Sequence, residues 1–508
     1  MSTTNNFDIV VIGAGPVGLT AAALASAYGL KTLIIDREAV PFPLPRAIHM
    51  NGDVVRVLRA AGVSHLIRSQ LAIQRGLKIY GADRKLNMIV KRKDDPDATG
   101  LSSQYAFYQP TLEAILRDKL TQSNHVEMRL GCELVSFEQS ADNVDLVLAK
   151  GEHKVSCSAK FIVACDGARS TVRRLLNIEM DDFGAEDFWV VVDFFIDERS
   201  ELPRDFVHLY CEPKSPAVYV PGPGQHRRIE WMLRPGDQPQ LYAQRKKVEE
   251  TLENWITLEH AEVIRHATYQ FRSLIAQKWR DGRIFLAGDA AHLTPPFMGQ
   301  GMGHGLRDVS NLLWKLNQAI RYNVKEDFLD SYQLERAPHV QSIIEQVIRV
   351  GEMIALADVP AASARDKAMR EQTGPSSDED TPVRLGKSFS TTDLYAGFEF
   401  PQLWLHCQGV KVRMDDLVKD SALLITRGDP MPEVIAAIKE NKNLFWIGNF
   451  SQADFVVSDT EGEESGLFNW LDEAKADAVL VRPDKYIYGH TELNKLHALI
   501  KNYESWIS

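Results

Sequence analysis

Six residues near the N-terminus, Gly13-Ala14-Gly15-Pro16-Val17-Gly18, constrain the fold more than any others in the chain. They follow a short apolar, β-branched run, Phe7 to Ile12, which reads as a buried parallel strand. They precede an Ala- and Leu-rich stretch, Leu19 to Tyr28, which reads as a helix stopped by Gly29. Lys31 to Asp36 is a second strand. Strand, glycine turn, helix and strand form a βαβ unit of the Rossmann, dinucleotide-binding type. Gly13 makes the turn, Gly15 lets the backbone approach a pyrophosphate, and Gly18 allows close packing of helix on strand. Ala14 and Pro16 lie in the same loop, and the helix start offers N–H donors to phosphate oxygens. Asp36, followed by Arg37, ends the second strand, where an acid accepts hydrogen bonds from ribose hydroxyls.

A chain of 508 residues is long enough for two or three domains, and 44% hydrophobic residues supply a sizeable core. The net charge of -11 argues against nonspecific nucleic-acid binding, which needs a basic face. The cysteines, Cys132, Cys157, Cys165, Cys211 and Cys407, have no metal-ligand spacing, so no metal site is expected. No basic leader or long apolar run occurs, so a cytoplasmic protein with no membrane span is expected.

Two further motifs extend the cofactor reading. Asp166-Gly167-Ala168-Arg169-Ser170-Thr171-Val172-Arg173 follows the strand-like Phe161 to Ala164. Gly288-Asp289-Ala290-Ala291-His292 follows Ile284 to Ala287 and leads through Pro295-Pro296 to Gly299-Gln300-Gly301-Met302-Gly303. Taken together and in this order, the three motifs resemble the group A flavoprotein monooxygenases, the FAD-dependent aromatic hydroxylases, in their phenol hydroxylase and 3-(3-hydroxyphenyl)propionate hydroxylase branch. Arg307-Asp308-Val309-Ser310-Asn311-Leu312-Leu313-Trp314-Lys315-Leu316 also matches the family pattern, except at Val309.

The resemblance implies noncovalent FAD and NAD(P)H as a transient co-substrate. Asp166 would face the flavin, and Asp289 would hold ribityl hydroxyls. Pro296 would lie beside the isoalloxazine, with Gly299, Gly301 and Met302 stabilising negative charge on the reduced ring. Arg46 and Gln109 resemble the family residues near the flavin. The implied reaction is hydroxylation of a phenolic or N-heteroaromatic small molecule with O2 through a C4a-hydroperoxide. Epoxidation or Baeyer–Villiger-type oxygenation of a polycyclic metabolite is an alternative on the same scaffold. A flavin-binding electron carrier without oxygenase activity is the alternative from another class.

The organisation expected is a FAD-binding domain over residues 1–180 and 276–360, interrupted by an antiparallel-sheet substrate domain at 181–275. A mobile linker, 361–389, leads to a small thioredoxin-like domain, 390–508, which lacks CxxC and is expected to pack or make subunit contacts, a homodimer included. The helix after the third motif is expected over Asp308 to Arg321. On the substrate side, Asn51, Tyr210, Trp231 and Phe297 are candidates to line the pocket. Asn51 stands where the branch often carries an acid. His49 and His208 are therefore candidate bases, because imidazole titrates near pH ~6.5, with Tyr219 as a further catalytic candidate.

Overall fold

The computed structural model describes residues 6–92, 101–102, 104–184, 187–372, 384–388, 393–407, 410–418, 420–449, 451–457 and 466–508. The central strand, Asn6–Ile12, is apolar on both faces because it lies mid-sheet with helices over it. It pairs in parallel with Thr32–Asp36 on one side and His153–Ala164 on the other. Val126–Leu130 and Ile284–Leu286 extend the parallel set outward. The glycine-turn helix, Pro16–Ala27, starts with proline at its first turn and stops at Gly29, whose φ is 74°. The expected strand, turn, helix and strand are all present.

The second sheet has seven strands. Ala261–Phe271, Asp187–Ile196, His226–Met232, Ala217–Pro221 and Phe206–Tyr210 pair antiparallel, as expected for the substrate domain. Two features differ from the expectation. A hairpin from the N-terminal part of the chain, Gly76–Tyr80 and Leu86–Lys91, completes this sheet, and Gly76–Tyr80 pairs in parallel with Phe206–Tyr210. Close backbone approach explains why Gly76 opens the hairpin: a Cβ there would meet the Val90 carbonyl oxygen at 2.0 Å.

The expected linker is corrected in part. Val359–Glu371 is a helix, capped at its start by the Asp358 side chain. Asp366, buried on it, accepts from Ala82 N at 2.7 Å and Asn87 Nδ2 at 2.9 Å, so the helix is pinned to the hairpin. Residues 373–383 lie outside those described. The helix expected from Asp308 begins at Gly301 and runs to Arg321. Packing leaves no room for a side chain at Gly305, where a Cβ would meet Val17 Cγ2 at 2.5 Å.

In the C-terminal unit, Ala422–Thr426 and Leu444–Gly448 are parallel, joined by the helix Pro432–Glu440. Ala478–Val481 and Ile487–Thr491 follow as an antiparallel pair, and the helix Leu496–Ile507 closes the unit. That arrangement fits the thioredoxin-like expectation. The unit shares a core with the flavin domain, and buried charges cross the joint. Glu335, on the long helix Glu326–Ile354, accepts from Arg482 Nη1 at 2.9 Å and Lys315 Nζ at 2.9 Å, all three side chains being inaccessible to solvent. Arg56 bonds Asp415 through Nε at 2.9 Å and the Phe400 carbonyl at 2.7 Å. Removing one member of such a network leaves an unpaired buried charge. Glu335→Ala is therefore expected to lower stability by about 3–5 kcal/mol, read from chemical denaturation. A wild-type midpoint would show that this network does not hold the joint.

Candidate active site

The three glycine motifs meet because each sits at the carboxyl end of one of three neighbouring parallel strands, the edge where open α/β sheets bind ligands. Gly13 N donates to the Ile35 carbonyl at 2.7 Å, and Cys165 N to the Ile12 carbonyl at 2.7 Å, so the turns start flush. The glycines of the first turn differ in what surrounds them. A Cβ on Gly18 would lie 1.9 Å from the Gly13 carbonyl oxygen, and one on Gly13, whose φ is 102°, would lie 2.4 Å from the Cys165 carbonyl oxygen. A Cβ on Gly15 would meet nothing within 4 Å. Gly13 and Gly18 thus close the turn, and Gly15 faces open space.

Asp36 joins the turn to the second strand, its Oδ2 accepting from Ala14 N at 2.7 Å and its Oδ1 from Glu38 N at 2.8 Å. Arg37 is exposed and pairs only with its neighbour Glu38, at 3.3 Å. Gln109 Oε1 accepts from Arg46 N at 3.0 Å and Ala47 N at 2.6 Å, while Gln109 Nε2 donates to Glu113 Oε1 at 2.7 Å. Arg117, which the sequence reading passed over, bonds Glu113 at 2.6 Å and the Ala14 carbonyl at 3.1 Å. A Gln–Glu–Arg chain therefore ties the Arg46 stretch to the glycine turn.

Asp166 caps the short helix after it, Oδ2 accepting from Thr171 N at 2.7 Å and Val172 N at 3.1 Å. Its Oδ1 is buried without a protein partner. Arg173 Nη1 donates to the Ala290 carbonyl at 2.8 Å and so joins the second motif to the third. Asp289 is exposed, yet enough protein surrounds it that burial pushes its carboxyl pKa up. His292 is buried and bonds Asp308 Oδ2 at 2.6 Å, a structural role.

Pro296 opens a 3-10 turn, Pro296–Met298, and Gly299 follows with φ 64°. Gly301 and Met302 form the first turn of the helix, which no side chain caps, so its leading N–H groups are left for a ligand. These residues suit FAD. Gly15 gives a phosphate room, Asp166 offers a buried oxygen without a protein partner, Asp36 and Asp289 are acids placed for hydroxyls, and the helix start suits an anionic ring edge. FAD held here supplies the electron transfer and activated oxygen that no side chain of this chain supplies.

His49 lies against the Gly299 loop: a Cβ on Gly299 would sit 3.0 Å from the His49 Cβ. Its ring nitrogens lie beside two amide oxygens, Nδ1 2.8 Å from Gln74 Oε1 and Nε2 3.2 Å from Asn51 Oδ1, and the neutral ring, with one N–H, donates to one of them at a time. Burial, then the charge of Arg92, lowers its pKa to about 4. Asn51 also accepts from Gln300 Nε2 at 3.1 Å.

The substrate sheet meets the flavin domain by one face only. Arg228 Nη1 reaches the Arg46 carbonyl at 2.7 Å, and the Trp189 ring packs edge-on against Phe297 at 5.3 Å. Val207, Leu209, Val218 and Val220 share that face with Ile48 and Phe297. Period-two alternation puts the neighbouring residues on the other face. This corrects four of the expected site residues. Tyr210, Tyr219 and Trp231 lie in the opposite core with Val190, Ile229 and Leu252. Tyr219 donates its hydroxyl to the Pro203 carbonyl at 2.7 Å, and the Trp231 and Tyr242 ring centres are 6.0 Å apart. His208 is packed among Tyr80, Tyr210 and Tyr219, and burial lowers its pKa to about 4. Phe297 packs between Trp189 of the sheet and Gly351 of the long helix. The residues on the flavin-domain face of the sheet that sequence reasoning did not single out are Trp189, Asp193, Arg228, Glu230 and Tyr269. Their signal was an acid, Asp193, inside an apolar run, and the charged-apolar alternation of Arg228-Ile229-Glu230-Trp231.

Comparison with known proteins matches residues 6–347 to the family described as FAD binding domain. The chain is 31% identical over 503 residues to a probable NADH-specific resorcinol 4-hydroxylase of Rhodococcus jostii (strain RHA1), covering 95% of this chain and 91% of that protein. It is 32% identical over 371 residues to a 3-(3-hydroxy-phenyl)propionate/3-hydroxycinnamic acid hydroxylase of Comamonas testosteroni, covering 72% of this chain and 62% of that one. Among solved structures, the flavin-dependent monooxygenase PieE in complex with FAD and substrate superposes with TM-score 0.80 at 19% identity over 99% of both chains. Aklavinone-11 hydroxylase with FAD and aklavinone superposes with TM-score 0.77 at 22% identity over 98% of both. The chain belongs to the FAD-binding-domain family, in its group of flavin-dependent aromatic hydroxylases. Among the described residues, no helix is long and apolar enough to cross a membrane.

Two outcomes follow from the site's geometry. Gly15→Ala is expected to fold and to purify with less FAD, whereas Gly18→Ala is expected not to fold, because its Cβ would overlap the Gly13 carbonyl. Equal flavin content in Gly15→Ala and wild type, measured after acid release, would remove Gly15 from the cofactor site. His208→Gln is expected to keep turnover within a few-fold and to change acid stability instead. The native pKa of about 4 lies below the ordinary value, so the unfolded chain takes the proton first. Stability on this account is full above pH ~6.5 and is lost as pH falls from there towards about 4, by on the order of 2–3 kcal/mol. The variant should flatten that limb of the unfolding curve.

Proposed function

We propose that this chain hydroxylates a neutral phenol-like ring, with NADH as reductant and O2 as the oxygen source. The observation that carries the reaction is the set of three motifs converging at one sheet edge, facing an enclosed sheet wall. An electron carrier has no use for such a wall. The full-length likeness to a protein named as an NADH-specific resorcinol 4-hydroxylase supports both the reductant and the ring. No second GxGxxG turn follows a strand in the chain, which favours transient nicotinamide binding at the flavin domain.

The neutrality of the substrate rests on the charges of the wall. Arg228 gives Nε and Nη2 to Asp193 at 2.8 and 3.0 Å, and Arg265 gives Nη1 to the same carboxylate at 2.9 Å. Burial would raise the Asp193 pKa, but Arg228 and His226 hold it down at about 2, so the acid stays ionised and keeps both guanidinium groups. Neither cation is left to bind a substrate carboxylate. The chain's own work is to orient the ring, exclude water and manage the ring hydroxyl's proton.

Loss of NADH absorbance by the FAD-loaded protein should accelerate strongly with resorcinol and weakly with 3-(3-hydroxyphenyl)propionate, with a hydroxylated product recovered by chromatography. Faster turnover of the carboxylated ring would reverse the substrate reading. No product from any phenol would remove the hydroxylase reading itself.

A further inference from the structure

Glu230 is held between two of the places where the sheet touches the flavin domain. On its own strand it lies two residues from Arg228, which reaches the carbonyls of Pro45 and Arg46, and two from Met232. The neighbouring strand pairs Asp193 with Arg228, Val191 with Glu230 and Trp189 with Met232, and Trp189 abuts Phe297. The next strand adds Arg265 opposite Asp193 and Tyr269 opposite Trp189. Alternation puts Glu230 on the face that meets the flavin domain, with Arg228, and its neighbours Ile229 and Trp231 in the far core.

Its bonding separates it from every other acid on that wall. Asp193 accepts from His226, Arg228 and Arg265 and has no capacity to spare. Glu230 accepts no hydrogen bond among the described residues. Its nearest cation is Arg228 Nη1 at 3.6 Å, and that nitrogen donates to the Arg46 carbonyl. The side chain is only 13% exposed. A largely buried carboxylate without a donor is costly unless something else supplies one. His49 faces two amide oxygens on its own side of the joint, and His208 lies behind the sheet.

We propose that Glu230 is the residue that accepts the proton of the substrate's ring hydroxyl. This rests on the hydroxylase reading above. The hydroxyl O–H bond breaks, an O–H bond forms on a Glu230 carboxylate oxygen, and the electron pair stays on the ring oxygen. From there it raises the electron density of the ortho and para carbons that attack the activated oxygen. The proton leaves Glu230 to water when product departs. Burial pushes the Glu230 pKa up against the opposing pull of Arg228, which narrows its gap to a phenol at ~10.

The test uses full-length, FAD-loaded Glu230→Gln. Glutamine keeps the shape and a hydrogen-bonding oxygen but cannot take a proton. Resorcinol binding, followed by its perturbation of the flavin spectrum, should stay within several-fold of wild type. Hydroxylated resorcinol per NADH consumed should fall by ~100-fold, with hydrogen peroxide in its place. A halogenated resorcinol, whose hydroxyl is more acidic, should recover most of the yield in the variant. Wild-type yield from resorcinol, or an equal loss with both phenols, overturns the assignment. If the glutamine variant fails to hold FAD, Glu230→Ala with added formate replaces it, and product that does not rise with formate overturns the assignment too. Wild-type protein that hydroxylates no phenol overturns the hydroxylase reading and this assignment together, whereas wild-type behaviour of the variant overturns this assignment alone.

Discussion

The Asp308 carboxylate is the contact on which the flavin side of the structure depends. It is fully buried on the helix Gly301–Arg321, and both oxygens are used. Oδ2 accepts from Gly288 N at 3.0 Å and His292 Nε2 at 2.6 Å, while Oδ1 accepts from Arg336 Nε at 2.9 Å. One side chain therefore joins the third motif, the helix that follows it and the long helix Glu326–Ile354. Burial alone would raise its pKa, but His292 and Arg336 bring it below the ordinary value. An ionised, fully bonded acid of this kind fixes geometry more than it adds stability, because its desolvation cost offsets much of the attraction.

The same helix holds the loop before it by side chains, since that loop has little regular structure of its own. Arg307 bonds Asp53 through Nη2 at 3.0 Å and Gln300 through Nη1 at 3.2 Å. Gln300 continues to Asn51, and Asn51 to His49. Glu399 of the C-terminal unit lies beside this group, bonded to Arg56, and burial pushes its pKa up to about 7. The thioredoxin-like unit thus reaches the back of the flavin loop through packed charges.

Most of the flavin site was legible in the sequence because glycines and acids there answer local backbone demands. Gly13, Gly18 and Gly288 have surroundings or φ values that other residues tolerate poorly, and Asp36 and Asp166 bond backbone N–H groups close to strand ends. The sheet wall was less legible. Tyr210, Tyr219 and Trp231 suggested a pocket because they are aromatic, but large rings are what a closed core needs, and they fill the far one. Which face meets the flavin domain depends on contacts over 180 residues apart in sequence, such as Arg228 with Pro45 and Arg46. The helix Val359–Glu371 was hidden for the reverse reason. Its composition is that of a linker, and its place comes from Asp366 binding a hairpin more than 270 residues earlier.

The two faces of the sheet divide the work by polarity. The far face, rich in Val, Phe and Trp, buries area and is inert. The near face mixes aliphatic residues with ionisable side chains, among them Asp193, Glu230, Arg228, Arg265 and His226. Geometry does not share these charges evenly. Both arginines bond Asp193, so Glu230 keeps a negative field that the nearer guanidinium only partly offsets from 3.6 Å. Such a field repels a carboxylated ring and attracts a hydroxyl hydrogen, and in a groove of low dielectric both effects exceed their size in water. On the proposed function, selection of a neutral phenol and activation of its hydroxyl would be one electrostatic property of the wall, set by Asp193 holding the two cations away.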